Sequence, residues 1–142
     1  MNINGKTLDN ADLLQVFKLF LPYLNRIVRE DMAVGLTDLK EYKGYYRAKE
    51  FELDLPEGKP VKGIDTIEEC IRTGKDTFAS VPTEVYGIPI KTIFTPIYGD
   101  KGEIIGTLSS GIDLKHSVSL VQNVDEIANS TSQVANSVHQ IA

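Results

Sequence analysis

Two rhythms of apolar and polar residues run through this chain. Between residues 10 and 29, Leu13, Val16, Phe17, Phe20, Leu24, Ile27 and Val28 recur every three or four positions. That is the period of a helix with one apolar face. Asp9 or Asn10 can cap its start, and Pro22 predicts a kink or two abutting helices. Covering one face of a sheet is the expected role of such a stripe, ahead of binding a partner. The rhythm then changes. Residues 33–37 and 45–51 read as strands on either side of a polar turn, Asp38-Leu39-Lys40-Glu41. Leu55-Pro56-Glu57-Gly58-Lys59-Pro60 is loop. A short helix is expected over 66–73, with Asp65 as cap, Glu68 three residues on, and Gly74 as its left-handed stop. Its buried face would be Ile67, Cys70 and Ile71, and residues 81–86 lead back into strand.

Residues 88–113 are the most β-rich stretch. Two arms of Ile, Thr, Phe and Tyr flank Gly-Asp-Lys-Gly-Glu, where Gly99 and Gly102 can take positive φ. Gly106, Ser109, Ser110 and Gly111 punctuate the second arm. Small residues in a central strand mark close backbone approach or room for a ligand. The order is helix, two strands, short helix with loops, then three strands. Short turns between successive strands predict an antiparallel sheet with helices on its faces, an α+β domain over residues 1–113.

From Leu120, the residues Val124, Ile127, Thr131, Val134, Val138 and Ile141 step by four and three. This is a heptad seam, which Ala128, Ala135 and Ala142 broaden. A helix polar on most sides needs a partner, so residues 114–142 are expected to start a helix that pairs with a second copy. Packing back on its own domain is the competing reading. The seam is in mid-repeat at Ala142, so the helix is expected to continue and the chain to be a fragment.

Bulk properties narrow the function. The chain has 142 residues, 42% of them hydrophobic and 25% charged, as in a soluble globular protein. Its net charge of −5 and lack of a Lys/Arg cluster argue against nucleic acid or an anionic membrane surface as partner. Cys70 stands alone, which suits a reducing cytoplasm and, lacking an adjacent base, an inert core thiol. Neither a leader nor a spanning segment is evident, so a cytoplasmic location and no membrane insertion are expected. Two histidines and one cysteine, far apart, do not make a zinc site. His116 as a haem ligand is much the weaker of its two readings, the other being a polar helix start; no cofactor is expected. Without a catalytic triad or phosphate loop, the chain is not expected to be an enzyme.

The run Phe94-Thr-Pro96-Ile-Tyr98-Gly-Asp-Lys-Gly102-Glu-Ile-Ile-Gly106, ending Gly111-Ile-Asp113, resembles the last hairpin of PAS-like and Cache-type sensor domains. Met32-Ala-Val-Gly-Leu-Thr-Asp38 resembles their first strand and turn, and residues 125–142 are similar to the start of the signalling helix in bacterial methyl-accepting chemotaxis proteins. The resemblance implies a PAS-like five-stranded antiparallel sheet ahead of a dimeric coiled coil. The implied protein is a cytoplasmic chemoreceptor that engages the chemotaxis kinase machinery through the region beyond residue 142. The chain departs from the pattern in two places. The paired Glu/Gln residues of methylation sites are not evident, and Asp113-Leu114-Lys115 stands where PAS domains often have Asp-Ile-Thr. In the resembled folds a ligand sits between one sheet face and the segment crossing it, here residues 56–82. Candidate ligand contacts are Tyr42, Tyr46, Arg47, Arg72, Tyr86, Lys91 and Thr95. Arg47 beside tyrosines would suit a small carboxylate; Arg47 and Lys91 snorkelling to solvent, and tyrosines serving as core, are the alternatives. Asp113 and Leu114 would pass the signal onward. Competing functions are a ligand-free dimerisation or docking domain, and the input domain of a histidine kinase or cyclic-dinucleotide enzyme.

Overall fold

The computed structural model describes residues 1–115; the heptads from Leu120, His116, His139 and most of the 114–142 segment lie outside them. The chain opens with a two-stranded ribbon, β1 (Asn2–Ile3) and β2 (Lys6–Thr7). Its turn is Asn4-Gly5, both at positive φ, the dipeptide that primed hairpin turns favour.

Helix α1 (Asn10–Ile27) follows. Asp9 Oδ1 accepts from the Asp12 amide, and Asp12 Oδ2 accepts from the Asp9 amide, closing a capping box. Pro22 sits inside one helix rather than between two. Leu14 and Leu21 before it and Asn25 after it are all buried, so tertiary packing holds both sides of the proline in place.

Strands β3 (Met32–Thr37), β4 (Tyr42–Tyr46), β5 (Thr77–Val81), β6 (Ile90–Tyr98) and β7 (Ile104–Asp113) form one antiparallel sheet in the order β4-β3-β7-β6-β5. The α+β class, the five-stranded antiparallel sheet and the N-terminal helix are those expected of a PAS-like domain. Two strand positions differ from expectation. The second strand spans 42–46, not 45–51, because Asp38 Oδ1 accepts from the Lys40 and Glu41 amides and tightens the turn. The strand expected at 81–86 ends at Val81. Pro82 cannot donate to a ladder, and the one-turn helix α3 (Thr83–Tyr86) follows it. Of the two hairpin glycines, only Gly102 takes positive φ.

Helix α2 (Asp65–Thr73) lies on the opposite face from α1, against β5, β6 and β7. Ile64, not Asp65, occupies its N-cap; Glu68 Oε1 instead accepts from the Gly63 amide. Gly74 closes it at φ 67° as expected. Ile67 and Cys70 are buried. Burial pushes the Cys70 thiol up, and the nearby Asp76 charge adds to this, so the residue packs as an apolar group.

Residues 47–64 cross the α2 face as irregular chain, pinned at one end by Asp31. Its carboxylate accepts from the Lys49 and Glu50 amides at 2.8 and 2.9 Å and from Asn25. Partial burial works against the charge, but these hydrogen bonds outweigh it and hold the pKa below 3.8. The stabilisation is therefore complete above pH 3.8 and vanishes as pH falls through the lower folded value. Asp31→Asn is expected to cost about 1 kcal/mol near neutral pH. It should also flatten the acid limb of the stability curve, read by urea melts from pH 7 down to 3.

Candidate ligand-binding site

Alternation along each strand decides what faces the crossing segment. On β3 these are Ala33 and Gly35; on β7, Ser109 and Gly111; on β6, Ile90, Thr92 and Phe94. Register brings the small ones together, Gly35 opposite Ser109 and Thr92 opposite Gly111. A side chain at Gly35 would meet Ser109 Oγ at 2.8 Å and the Tyr42 ring at 3.2 Å. This low floor, roofed by Leu53, Leu55 and Ile64, leaves a cavity of about 180 Å³. That is close to a space that takes one benzene-sized ring.

Tyr42, Tyr45 and Tyr86 supply most of its polarity. Tyr45 Oη accepts from the Leu53 amide at 2.7 Å, which leaves its own proton to donate. Among the described residues neither the Tyr42 nor the Tyr86 hydroxyl has a protein hydrogen bond. Burial, with the neighbouring Tyr86, pushes Tyr42 up to about 12, so it stays a neutral donor at any working pH. Thr92 Oγ1 and Ser109 Oγ donate to the Ala79 and Gly35 carbonyls. Among the described residues Lys59 is the one cation on the wall, and its ammonium donates to the Asp54 carbonyl at 3.0 Å.

Of the residues singled out in the sequence, the structure brings Tyr42 and Tyr86 to the cavity and leaves five outside it. Lys91 and Thr95 occupy alternate positions of β6 with the phase opposite to Thr92 and Phe94, so they face away. Tyr46 misses by one residue; its neighbour Tyr45 points in. Arg47 is exposed, with Nη1 3.4 Å from Glu52 and Nε donating to the Ala48 carbonyl. Arg72 lies on the outer side of α2, among surface residues such as Glu68 and Glu69. A carboxylate held in this cavity would meet no arginine; Lys59 is the cation on its wall. The contacts not named from sequence, Tyr45, Thr92 and the Ala33 floor, share one signal: they carry the phase of Phe94 and of the small residues Ser109 and Gly111.

β7 carries this floor outward. Asp113 pairs with Ile90, Leu114 donates its amide to the Pro89 carbonyl at 2.7 Å, and Asp113 Oδ1 accepts from the Lys115 amide. No group of acids, histidines or cysteines among the described residues is placed to hold a metal. No helix among them is long and apolar enough to cross a membrane.

No known protein-family model matches the chain. It is 31% identical over 126 residues to "Putative sensory transducer protein YfmS" of Bacillus subtilis (strain 168), covering 89% of this chain. The chain spans 43% of that relative's length. Among solved structures, a sensory box sensor histidine kinase from Vibrio cholerae aligns with a TM-score of 0.46 at 14% identity, over 73% of this chain and 97% of that one. The relative's name agrees with the resemblance to sensor domains read from residues 94–113.

Proposed function

We propose that this chain is the small-molecule-sensing domain of a cytoplasmic chemoreceptor, and that its ligand is uncharged, about one ring in size and largely apolar, with an oxygen acceptor. The observation that carries this is the cavity floored by Ser109 and Gly111 of β7, the same strand that ends at Asp113 and leads into the heptads. An apolar wall with a few placed hydroxyls is the ordinary make-up of a small-molecule site. Tyrosyl donors favour a ketone, ether or phenol oxygen over an ammonium ion. The chemoreceptor reading draws on residues 125–142 and on the relative's name as a sensory transducer. Occupancy can bias the output only by the ligand's different affinity for two arrangements of β7 and the segment after it.

Thermal-shift screening tests the reading. Neutral monocyclic phenols, aryl ketones and indole are expected to raise the melting temperature, because a ligand held by the native state stabilises it. Benzoate and aliphatic dicarboxylates are expected to leave it unchanged. Shifts for the acids alone would refute the neutral ligand, and none for any compound would refute the sensor.

A further inference from the structure

Strand β4 carries one residue more than its neighbour can match. Leu36 of β3 stands opposite Gly44 and Thr37 opposite Tyr42, so Lys43 is a bulge. In an unbroken strand, residues three apart point to opposite faces of the sheet. The bulge turns both Tyr42 and Tyr45 to the cavity, Tyr42 beside Gly35 and Tyr45 in register with it. Their hydroxyls are committed differently. Tyr42 Oη has no protein hydrogen bond among the described residues. Tyr45 Oη accepts from the Leu53 amide at 2.7 Å and donates to no protein atom among them. Burial raises the Tyr45 pKa, against the pull of the Leu53 amide, so the proton is in place at neutral pH.

Leu53 belongs to the cavity's roof, and the roof is a strap with firm ends. Asp31 holds the Lys49 and Glu50 amides at one end. At the other, the Tyr42 backbone pairs with Gly58 and Lys59 at 2.8 Å each. Residues 51–57 between them belong to no helix or strand. Two residues of the cavity wall reach this stretch, Tyr45 to the Leu53 amide and Lys59 to the Asp54 carbonyl.

We propose that Tyr45 reports occupancy to the roof: its hydroxyl donates to the ligand's oxygen while accepting from Leu53, and so fastens the strap over a filled cavity. This rests on the reading of the cavity as a ligand site. A hydroxyl that donates becomes a better acceptor, and a bound oxygen fixes the direction of a proton that otherwise rotates. The Tyr42 hydroxyl can meet the same oxygen but bonds no roof amide, so recognition tightens the strap through Tyr45 alone. The strap's anchor, Asp31, precedes Met32, which pairs with Ile112 near the end of β7. A ligand that binds the fastened strap better therefore favours one arrangement beside the strand that leaves the sheet.

Two probes of the same shape test this on the full 142-residue chain: acetophenone, and α-methylstyrene, in which a methylene replaces the ketone oxygen. The preference for acetophenone, measured as the ratio of the two Kd values, is expected to fall about fivefold in Tyr45→Phe. At saturation, acetophenone is expected to slow exchange of the Leu53 amide, followed by NMR, about threefold more than α-methylstyrene does. That difference should vanish in Tyr45→Phe and persist in Tyr42→Phe. Both variants keep the ring, so the fold is retained, which a melting curve checks. An unchanged preference in Tyr45→Phe would overturn the inference, as would a Leu53 amide that responds equally to the two probes in the wild-type chain. So would acetophenone that fails to bind; the sensing reading falls with it only if the phenols and indole also leave the melting temperature unchanged.

Discussion

Replacing Gly106 by alanine is expected to lower the unfolding free energy by at least about 3 kcal/mol, a drop in Tm on the order of 10 °C. Gly106 is buried in β7 opposite Ile97, and the place of an added Cβ is already taken by the Thr37 carbonyl oxygen. The obstacle is backbone at the last pair of the β3–β7 ladder, Thr37 with Thr107. Their hydroxyls share a buried hydrogen bond of 2.7 Å, so the strand cannot move aside without breaking it. Leu36 and Ile105 next to them are core on the α1 side. Urea or thermal melts measure the effect; an alanine variant within 2 °C of wild type would show that β3 yields there.

The second large effect is on binding. Ala79→Phe is expected to weaken any ligand found by the thermal-shift screen at least 100-fold, about 2.7 kcal/mol. Ala79 lines the cavity from β5, an edge strand, opposite Thr92. The ring would enter a space of about 180 Å³ and leave too little room for a second ring. Phenylalanine suits a strand, so stability should change by less than about 1 kcal/mol. Phe78→Ala, one residue away on the other face, should leave ligand binding as it is. Titration calorimetry separates the two, and equal affinity in both variants would place the ligand elsewhere.

These contrasts rest on phase, which the sequence alone does not set. Residues 88–113 could be read as a hairpin because β-branched and aromatic arms flank a glycine turn. Their small residues also pointed to the cavity: Ser109, Ser110 and Gly111 line it, while Gly106 answers instead to close backbone approach. A strand shows both faces equally in sequence, however. Lys91 and Thr95 lie on one face of β6 and Thr92 and Phe94 on the other, and only pairing with β5 and β7 tells the faces apart. Arg47 suggested an anion site because it followed a run of strand-forming residues; that strand ends at Tyr46, and the side chain turns to Glu52.

Helix α1 shows the same division. Its capping acids and apolar spacing predict a helix, since capping and periodicity act within a few residues of one another. The seven apolar positions were expected to form a single sheet-facing stripe. Instead the sheet takes Leu13, Leu14 and Leu21 and leaves Val16, Phe20 and Ile27 bare. What the amino-acid sequence determined by itself was therefore local: element types, turns, caps, and the antiparallel α+β class that short connections impose. The tertiary structure alone decided which face of each element is inside, because burial depends on partners brought together from distant parts of the chain, as Gly35 and Ser109 are across 74 residues.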